Sequence, residues 1–310
     1  MTGAPPLIVV AGATATGKTD LGIVLAERLR VETERPTEII SADSRQVFRG
    51  LDIGTAKVGA AERARVPHHG LDLVDPDTSF TVADFATHAT AVLADLAARD
   101  GIALLVGGTG FYLRAVARGL DTAALPADPE VRAALEGELI ERGPEPLVAR
   151  LLAAAPGLAS GVDLQNPRRV VRALEIATLQ GDTPLPTPRG YAGPVAWLGL
   201  RLEPPVHRSR IEARARAQFE VGLLEEARRL RTLFDPALPA FSAIGYREAW
   251  AVLDGESTLE AAIALDTQRN AAFAKRQRTW FRSEPDITWL DAGAPDATEV
   301  ALAIVRRVLA

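Results

Sequence analysis

The sequence predicts an α/β fold in which a parallel sheet is covered by helices, with a helical insertion domain and additional C-terminal helices. Four short apolar runs, at residues 7–11, 38–41, 102–106 and 195–202, are bounded by turn residues and separated by helical patterns. This layout is typical of a parallel sheet with both faces buried. A glycine-rich loop follows the first run, and no comparable runs occur between residues 122 and 190.

The glycine-rich loop reads GATATGKT at residues 12–19 and fits the phosphate-binding pattern G-x-x-x-x-G-K-T. Gly12 and Gly17 allow the backbone to curl, so that its N–H groups converge on an anion at the start of the next helix, near Asp20. Lys18 adds a positive charge, and the Thr19 hydroxyl can hold Mg²⁺. The loop therefore predicts binding of a di- or triphosphate and a P-loop NTPase-like sheet core.

Residues 122–190 are predicted to form the helical insertion domain, because segments rich in Ala, Leu, Glu and Arg alternate there with breaks at Pro or Gly. The α/β core is then built from residues 1–121 and 191–310. Amphipathic patterns predict C-terminal helices at about residues 206–234, 242–253 and 259–282, and a last helix after Asp296.

Composition limits the class of protein. With 310 residues, 47% of them apolar, the chain can bury a large core, and no apolar stretch approaches the roughly 18 residues of a membrane span. The N-terminal MTGAPP lacks the features of a secretion signal, so we expect a cytoplasmic protein without membrane contact. We also expect a monomer. The absence of cysteine leaves oxygen ligands or the four histidines for any metal, which favours Mg²⁺.

A candidate acid follows the second apolar run. Enzymes that use NTPs usually carry an Asp after a further strand, but the run at 102–106 ends in the turn GGTG at 107–110. The run before Asp43 does lead to an acid. Because the C-termini of parallel strands face the same crevice, we expect Asp43, Thr109 and Lys18 to converge. Asp43 is then placed to take a proton from an acceptor, although a strand-terminal Asp equally often forms an Asx turn or a helix cap.

Two segments, residues 166–172 and 273–282, carry only positive charge. The net charge of -5 for the whole chain nevertheless argues weakly against a nucleic-acid partner. Each segment has helical periodicity, with Asn166 as the predicted cap of the first. The cations that share one helix face are Arg168, Arg169 and Arg172 in the first segment and Lys275, Arg278 and Arg282 in the second. Either segment alone fits an ordinary solvated helix face, whereas two patches free of acids favour a polyanion.

Seven motifs run in order through nearly the whole chain. They are GATATGKT at 12–19, SADSRQVFRGLDIGTAK at 41–57, PHHGLDLVDPDTSFTVADF at 67–85, GGTGFYLRA at 107–115, NPRRVVRALE at 166–175, AIGYREAW at 243–250 and AKRQRTWFR at 274–282. Together they resemble the bacterial tRNA dimethylallyltransferase family, also called tRNA isopentenyltransferases. The resemblance implies transfer of a dimethylallyl group from dimethylallyl diphosphate to the exocyclic N6 amine of the adenine just 3′ of the anticodon in tRNA, with Mg²⁺.

The resemblance also implies roles for particular residues. The implied catalytic residues are Lys18, Asp43 and Thr109, with Asp43 as the general base. The residues implied to bind the diphosphate are Gly12, Ala13, Thr14, Ala15, Thr16, Gly17, Lys18 and Thr19, the last of which also holds Mg²⁺. Arg210 and Arg214, four residues apart on one helix face, are expected as further diphosphate ligands.

The implied tRNA contacts include both basic segments. They are Asp43, Ser44, Arg45, Gln46, Thr109, Arg132, Arg168, Arg169, Arg172, Ser242, Ala243, Ile244, Gly245, Tyr246, Arg247, Lys275, Arg276, Gln277, Arg278, Thr279, Trp280, Phe281 and Arg282. The target base must leave its stack, at a cost of roughly a few kcal/mol, which contacts with the anticodon arm must offset. The insertion and the C-terminal helices are expected to hold that arm from two sides.

The chain departs from the family pattern at Ala13, Thr16, Phe48 and Arg168, where Pro, Ser, Tyr and, in many members, Gln are usual. The loop keeps its glycines, its Lys and its Thr, so the diphosphate prediction stands, whereas the tRNA contact at Arg168 changes its chemistry. Two other activities stay open, namely isopentenyl transfer to free adenine nucleotides and phosphorylation of a small metabolite by a P-loop kinase. A non-catalytic RNA-binding protein is a third class.

Overall fold

The computed structural model describes residues 3–122 and 125–310. Its strands are β1 (Leu7–Gly12), β2 (Thr37–Ala42), β3 (His68–His69), β4 (Ile102–Gly107), β5 (Val195–Arg201) and β6 (Thr288–Asp291). They form one parallel sheet in the order β3-β2-β4-β1-β5-β6. The predicted α/β fold with a P-loop NTPase-like sheet is confirmed.

The central strand β1 shows why the sequence has continuous apolar runs rather than alternating ones. Leu7, Val9 and Ala11 belong to one buried apolar cluster, and Ile8 and Val10 belong to a second cluster. Successive side chains of a strand point to opposite faces, so the two clusters lie on the two sides of the sheet. A strand buried on both faces must be apolar at every position.

Strands β3 and β6 were not predicted from the sequence. They lie at the two ends of the strand order, and β3 spans only His68–His69. In β6, Leu290 is buried while Thr288 and Asp291 are exposed. Such strands pair with a single neighbour and bury little surface, so they leave no apolar run in the sequence.

The helices of the first part of the chain place the site residues at the strand ends. They are α1 (Lys18–Thr33), α2 (Ala60–Arg65), α3 (Val82–Ala98) and α4 (Gly110–Ala117). Helix α1 begins directly after the glycine-rich loop, with Gly17 as its cap in the left-handed region. Helix α4 follows Thr109 in the same way at the end of β4.

A second compact unit spans Leu120–Arg189, compared with the predicted insertion of 122–190. Its helices are α5 (Pro129–Arg142), α6 (Glu145–Ala154), α7 (Pro156–Ala159) and α8 (Pro167–Gln180). Its own apolar core includes the fully buried Leu147, Leu151 and Val170. The Asn166 side chain accepts a hydrogen bond from the Arg169 N–H, which confirms the predicted cap of α8.

The C-terminal part of the first unit is helical. Its helices are α9 (Pro204–Glu220), α10 (Leu223–Leu233), a 3₁₀ turn (Pro239–Ser242), α11 (Tyr246–Leu253), α12 (Leu259–Arg282) and α13 (Ala297–Leu309). The prediction of one helix over 206–234 was wrong, because Gly222 has φ 118° and ends the helical path. The predicted helices at 259–282 and after Asp296 are confirmed. No helix in the described ranges is long and apolar enough to cross a membrane.

Candidate active site

The loop 12–19 connects the end of β1 to the start of α1. Ala15 (φ 60°) and Gly17 (φ 87°) take left-handed conformations that curl the loop ahead of the helix. The Thr16 hydroxyl donates to the Ala13 carbonyl at 2.9 Å, and Lys18 Nζ donates to the same oxygen at 3.2 Å. A curled loop at a helix N-terminus is a ready site for a phosphate group.

Glycines let the strand ends approach one another closely. A Cβ at Gly12 would lie 2.9 Å from Thr16 Oγ1. A Cβ at Gly107 would lie 2.1 Å from the carbonyl oxygen of Ala42, where β4 pairs with β2. A larger residue at Gly107 would push β4 and β2 apart, and one at Gly12 would displace the Thr16 hydroxyl inside the loop.

Two cations crowd the loop. Arg214 of α9 donates from Nη1 to the Thr14 hydroxyl at 2.9 Å and from Nη2 to the Thr55 carbonyl at 3.4 Å. Burial, and then the charge of Arg214, lowers the pKa of Lys18 to about 8, while Asp43 acts in the opposite direction. Burial also lowers the pKa of Arg214. Because both charges are partly desolvated and repel each other, an anion bound here would stabilise both.

Arg210 has a different position from Arg214. It is exposed, and its Nη1 lies 3.6 Å from the position that a Cβ on Gly17 would take. Arg214 faces the cavity, whereas Arg210 stands outside the loop near the N-terminus of α1. Both predicted arginines are therefore close to the loop, from different sides.

Asp43 and Thr109 lie at the ends of neighbouring strands. Asp43 Oδ1 accepts from the Arg45 N–H at 2.8 Å, which is an Asx turn, and among the described residues no hydrogen bond reaches Oδ2. The Thr109 hydroxyl accepts from the Ser44 N–H at 3.0 Å, which ties the end of β4 to the end of β2. The turn thus holds Asp43 in place through one oxygen and leaves the other free for chemistry.

Lys18, Asp43 and Thr109 all line one cavity of about 420 Å³, as their predicted convergence implies. The predicted site residues that line it are Thr14, Lys18, Thr19, Asp43, Ser44, Arg45, Gln46, Thr109, Arg214, Ser242, Ala243, Ile244, Arg276 and Gln277. It is also lined by Arg269, Asn270 and Phe273 of α12, which sequence reasoning missed. The cavity therefore has a cationic end at the loop and a carboxylate at the end of β2.

One wall of the cavity is formed by Gly54, Thr55 and Ala56, and sequence reasoning missed the residue that holds it. Glu226 of α10 accepts from three successive backbone N–H groups at 52–54, at 2.8 to 3.2 Å. Glu226 shares the buried face of α10 with apolar side chains such as Leu230. An acid on an otherwise apolar helix face was the available signal in the sequence.

Helix α12 carries the second basic segment, and its residues separate by burial. Lys275, Arg276, Thr279 and Arg282 are exposed, and Arg278 is partly exposed. Trp280 is partly buried, with the Arg114 guanidinium 4.6 Å above its ring. The exposed cations form a surface suited to phosphate groups.

Gln277 and Phe281, both predicted to contact tRNA, lie on the inner face of α12. Both are buried, and the Gln277 amide is bonded to the Thr14 N–H and the Gly108 carbonyl. The Thr14 N–H is thereby occupied by a side chain, and Thr14 was one of the residues predicted to bind the diphosphate. The motif AKRQRTWFR therefore contains residues from both the outer and the inner face of one helix.

Tyr246 and Gln46, also predicted to contact tRNA, make hydrogen bonds within the protein. The Tyr246 side chain is fully buried, and its hydroxyl donates to Glu226 at 2.8 Å. The Gln46 amide accepts from the Ser41 hydroxyl at 2.8 Å and donates to the Thr55 carbonyl at 3.1 Å. Arg247, beside Tyr246, is exposed. Gly245, also buried, has φ 110° and serves as the cap of α11.

In the second unit, the expectation of a basic patch free of acids was wrong. Glu175, fully buried, accepts from Arg132 at 2.9 Å and lies 2.8 Å from Arg172 Nη1. Arg169 pairs with Asp163 at 3.4 Å, and Arg168 is exposed. Two of the four predicted arginines, Arg132 and Arg172, therefore neutralise a buried carboxylate. The (i, i+3) spacing of Arg172 and Glu175 was the signal for this pair in the sequence.

No group of three or more His, Cys, Asp or Glu residues that could hold a metal ion occurs in the described part of the chain. The Thr19 hydroxyl, at the exposed start of α1, is on the cavity lining. The Thr19 hydroxyl can supply one ligand of Mg²⁺, and phosphate oxygens and water would have to supply the other ligands of the octahedral ion.

Comparison with known proteins finds relatives that match nearly the whole chain. A family model described as IPP transferase matches residues 46–284. The tRNA dimethylallyltransferase of Roseiflexus sp. (strain RS-1) is 43% identical over 306 residues, which cover 97% of this chain and 98% of the relative. That of Anaeromyxobacter sp. (strain K) is 47% identical over 309 residues, which cover 98% and 97%.

The chain is also similar to solved structures of enzymes with these names. The full-length tRNA isopentenylpyrophosphate transferase of Bacillus halodurans is 37% identical with a TM-score of 0.71, covering 98% of this chain and 97% of that chain. A eukaryotic dimethylallyltransferase acting on tRNA is 25% identical with a TM-score of 0.78, covering 99% and 80%. Because the family model spans more than half of the chain and relatives above 40% identity span nearly all of it, this chain belongs to the tRNA dimethylallyltransferase family.

Proposed function

We propose that this chain transfers a dimethylallyl group from dimethylallyl diphosphate to the N6 amine of the adenine immediately 3′ of the anticodon in tRNA. The observation that carries the proposal is that Lys18, Arg214, Asp43 and Thr109 all line one cavity of about 420 Å³. An anion site and a carboxylate in one cavity of this size suit a transfer between a diphosphate and an acceptor with a proton to lose.

The cationic end of the cavity is proposed to hold the diphosphate. As the allylic C–O bond breaks, its electron pair stays on the diphosphate oxygen, and Lys18 and Arg214 stabilise the added charge. Both cations are fixed by hydrogen bonds before the substrate arrives, so little reorganisation is needed. Mg²⁺, held by the Thr19 hydroxyl and the diphosphate oxygens, would supply further charge neutralisation.

Asp43 is proposed to act on the acceptor. The N6 amine of adenine forms the new C–N bond and loses one proton, which Asp43 Oδ2 accepts. The Asx turn through Oδ1 keeps the carboxylate oriented while this happens. Thr109, fixed by its bond from Ser44, can donate its own hydroxyl hydrogen to a group in the cavity.

The acceptor base has to be unpaired to enter the cavity. Phe273, which lines the cavity and is 36% exposed, has the Arg276 guanidinium 5.7 Å from its ring centre. Aromatic rings and guanidinium planes both stack on unpaired bases. The exposed cations of α12, with Lys275 and Arg282 among them, are proposed to bind the phosphates on either side of that base.

The test is transfer of radiolabel from dimethylallyl diphosphate in Mg²⁺ buffer by the purified chain. An anticodon stem-loop with adenine 3′ of the anticodon should be labelled, whereas the same stem-loop with guanine there should not. Labelling of AMP but not of the stem-loop would overturn the tRNA assignment, and phosphate transfer from ATP to a metabolite would support a kinase. Sedimentation at the assay concentration should give a mass near 33.0 kDa if the active unit is the proposed monomer.

A further inference from the structure

Thr14 is the residue at which helices α9 and α12 hold the loop 12–19. Its N–H donates to Gln277 Oε1 at 2.8 Å. Its carbonyl lies 2.8 Å from His207 Nε2, and its hydroxyl accepts from Arg214 at 2.9 Å. Three side chains from outside the loop therefore fix one of its residues, and each uses a different polar group of Thr14.

The buried Gln277 amide makes a second contact that joins two parts of the site. Its Nε2 donates to the Gly108 carbonyl at 2.9 Å. Gly108 belongs to the turn after β4, which leads to Thr109. A Cβ at Gly108 would lie 2.3 Å from Gln277 Nε2, so a side chain there would displace the amide. One amide thus spans the gap between the anion loop and the turn that carries Thr109.

His207 provides a second connection between α12 and the loop 12–19. Because the Thr14 carbonyl can only accept, His207 Nε2 carries the proton, and Nδ1 accepts from Arg278 Nη1 at 3.3 Å. Burial lowers the pKa of His207, in keeping with a neutral ring. Helix α12 therefore reaches the loop directly through Gln277 and indirectly through Arg278 and His207.

We propose that Gln277 is a positioning residue for the transfer reaction, holding the loop 12–19 at a fixed distance from the turn 107–110. The loop carries the diphosphate ligands, and the turn carries Thr109. The separation that Gln277 sets is therefore the separation between the leaving diphosphate and the acceptor side of the cavity. This inference rests on the proposed function and adds a residue whose amide acts through Thr14 and Gly108.

The experiment replaces Gln277 with Met, which keeps the length of the side chain and removes both polar atoms. The matched control is Gln268→Met, the same change at an exposed position of the same helix. Four quantities are measured for the full chain. They are the affinity for inorganic pyrophosphate with Mg²⁺, by calorimetry, the affinity for the stem-loop, by filter binding, and kcat and KM for dimethylallyl diphosphate.

A positioning role predicts that Gln277→Met weakens pyrophosphate binding about tenfold and lowers kcat about tenfold or more, since a buried N–H of the loop loses its acceptor. Stem-loop affinity should change less than twofold, and Gln268→Met should match the wild type throughout. If Gln277→Met instead weakened stem-loop binding and left pyrophosphate binding unchanged, Gln277 would act on tRNA and the proposal would be overturned.

Amide hydrogen exchange supplies a readout that does not depend on catalysis. In Gln277→Asn, which keeps an amide but shortens its reach, the Thr14 amide should exchange at least tenfold faster while the β1 amides keep their protection. Unchanged Thr14 exchange would reject the positioning role. Loss of transfer in the wild type would reject the proposed function alone, because pyrophosphate binding and exchange would still report on Gln277.

Discussion

The Tyr246 hydroxyl donates a hydrogen bond of 2.8 Å to Glu226 Oε1 in the protein interior. The same carboxylate accepts from the backbone N–H groups at 52–54. Gly54 packs directly on the Tyr246 ring, where a Cβ would lie 2.6 Å from Cζ. The pair therefore fixes the wall of the cavity that Gly54, Thr55 and Ala56 form.

Replacing Tyr246 with Phe should lower the free energy of unfolding by about 2 kcal/mol, because a buried carboxylate loses one donor. Stem-loop affinity should stay within twofold, since the ring does not reach solvent. Urea unfolding and filter binding measure the two effects. The control is Tyr191→Phe, which loses a bond to the neutral Pro5 carbonyl and should cost about 1 kcal/mol. A tenfold loss of stem-loop affinity in Tyr246→Phe would show that Tyr246 contacts tRNA directly.

Asp43→Asn should reduce kcat by about 10² to 10⁴, because the amide cannot accept the proton of the acceptor amine. Asn keeps an oxygen for the Arg45 N–H, so the turn and the stem-loop affinity should be preserved. Asp235→Asn changes the same residue type in an exposed Asx turn, with Ala237 as the donor, and should leave kcat unaltered. Single-turnover rates at saturating stem-loop measure both variants, and a rate for Asp43→Asn within threefold of the wild type would remove Asp43 as the base.

Lys18 makes pyrophosphate binding depend on pH. Its pKa is about 8 in the empty site, so its charge is lost as the pH rises through 8, and binding at higher pH must take up a proton. In Lys18→Arg the side chain stays charged, so the ratio of wild-type to variant affinity should fall between pH 7 and pH 9. Calorimetry in buffers of different ionisation enthalpy detects the proton. A ratio that is flat with pH would contradict the lowered pKa.

The lowered pKa of Lys18 also affects stability. Whereas pyrophosphate binding weakens as the pH rises, the free energy of unfolding increases. The ordinary pKa of lysine is 10.5, so between about 8 and 10.5 the unfolded chain binds more protons at Lys18 than the folded chain. The contribution of Lys18 to the free energy of unfolding therefore increases as the pH rises through that window. Urea unfolding without ligand should show this increase as the difference between the wild type and Lys18→Arg.

The central strands and the convergence of Lys18, Asp43 and Thr109 could be predicted because each depends on local sequence and on the geometry of a parallel sheet. Apolar runs mark strands buried on both faces, and their C-termini lie on one edge. The edge strand β3 and the break at Gly222 could not be predicted in this way. A two-residue strand exists only through its neighbour β2, and a glycine breaks a helix only where its φ is positive.

The division of a motif into contacts and supports could not be predicted from the sequence. Gln277 and Arg276 are adjacent, yet one is buried against Thr14 and the other is exposed. What separates them is the packing of α12 against α9 and β1, which involves residues more than fifty positions away. The motif therefore identifies the segment that belongs to the site, whereas the burial of each side chain determines whether it can contact a ligand.

The two arginines Arg168 and Arg172 should separate tRNA binding from stability. Arg168 is exposed, so Arg168→Ala should weaken stem-loop binding and reduce the slope of log K against log salt by about 1, with little change in unfolding. Arg172 donates to the Pro126 carbonyl and pairs with the buried Glu175. Arg172→Ala should therefore lower the free energy of unfolding by about 1 to 3 kcal/mol, which is less than for a fully buried ion pair because Arg172 is partly exposed. The salt slope for Arg172→Ala should change less than that for Arg168→Ala, because its charge is already offset by Glu175. Equal salt slopes for the two variants would mean that Arg172 leaves Glu175 to bind phosphate.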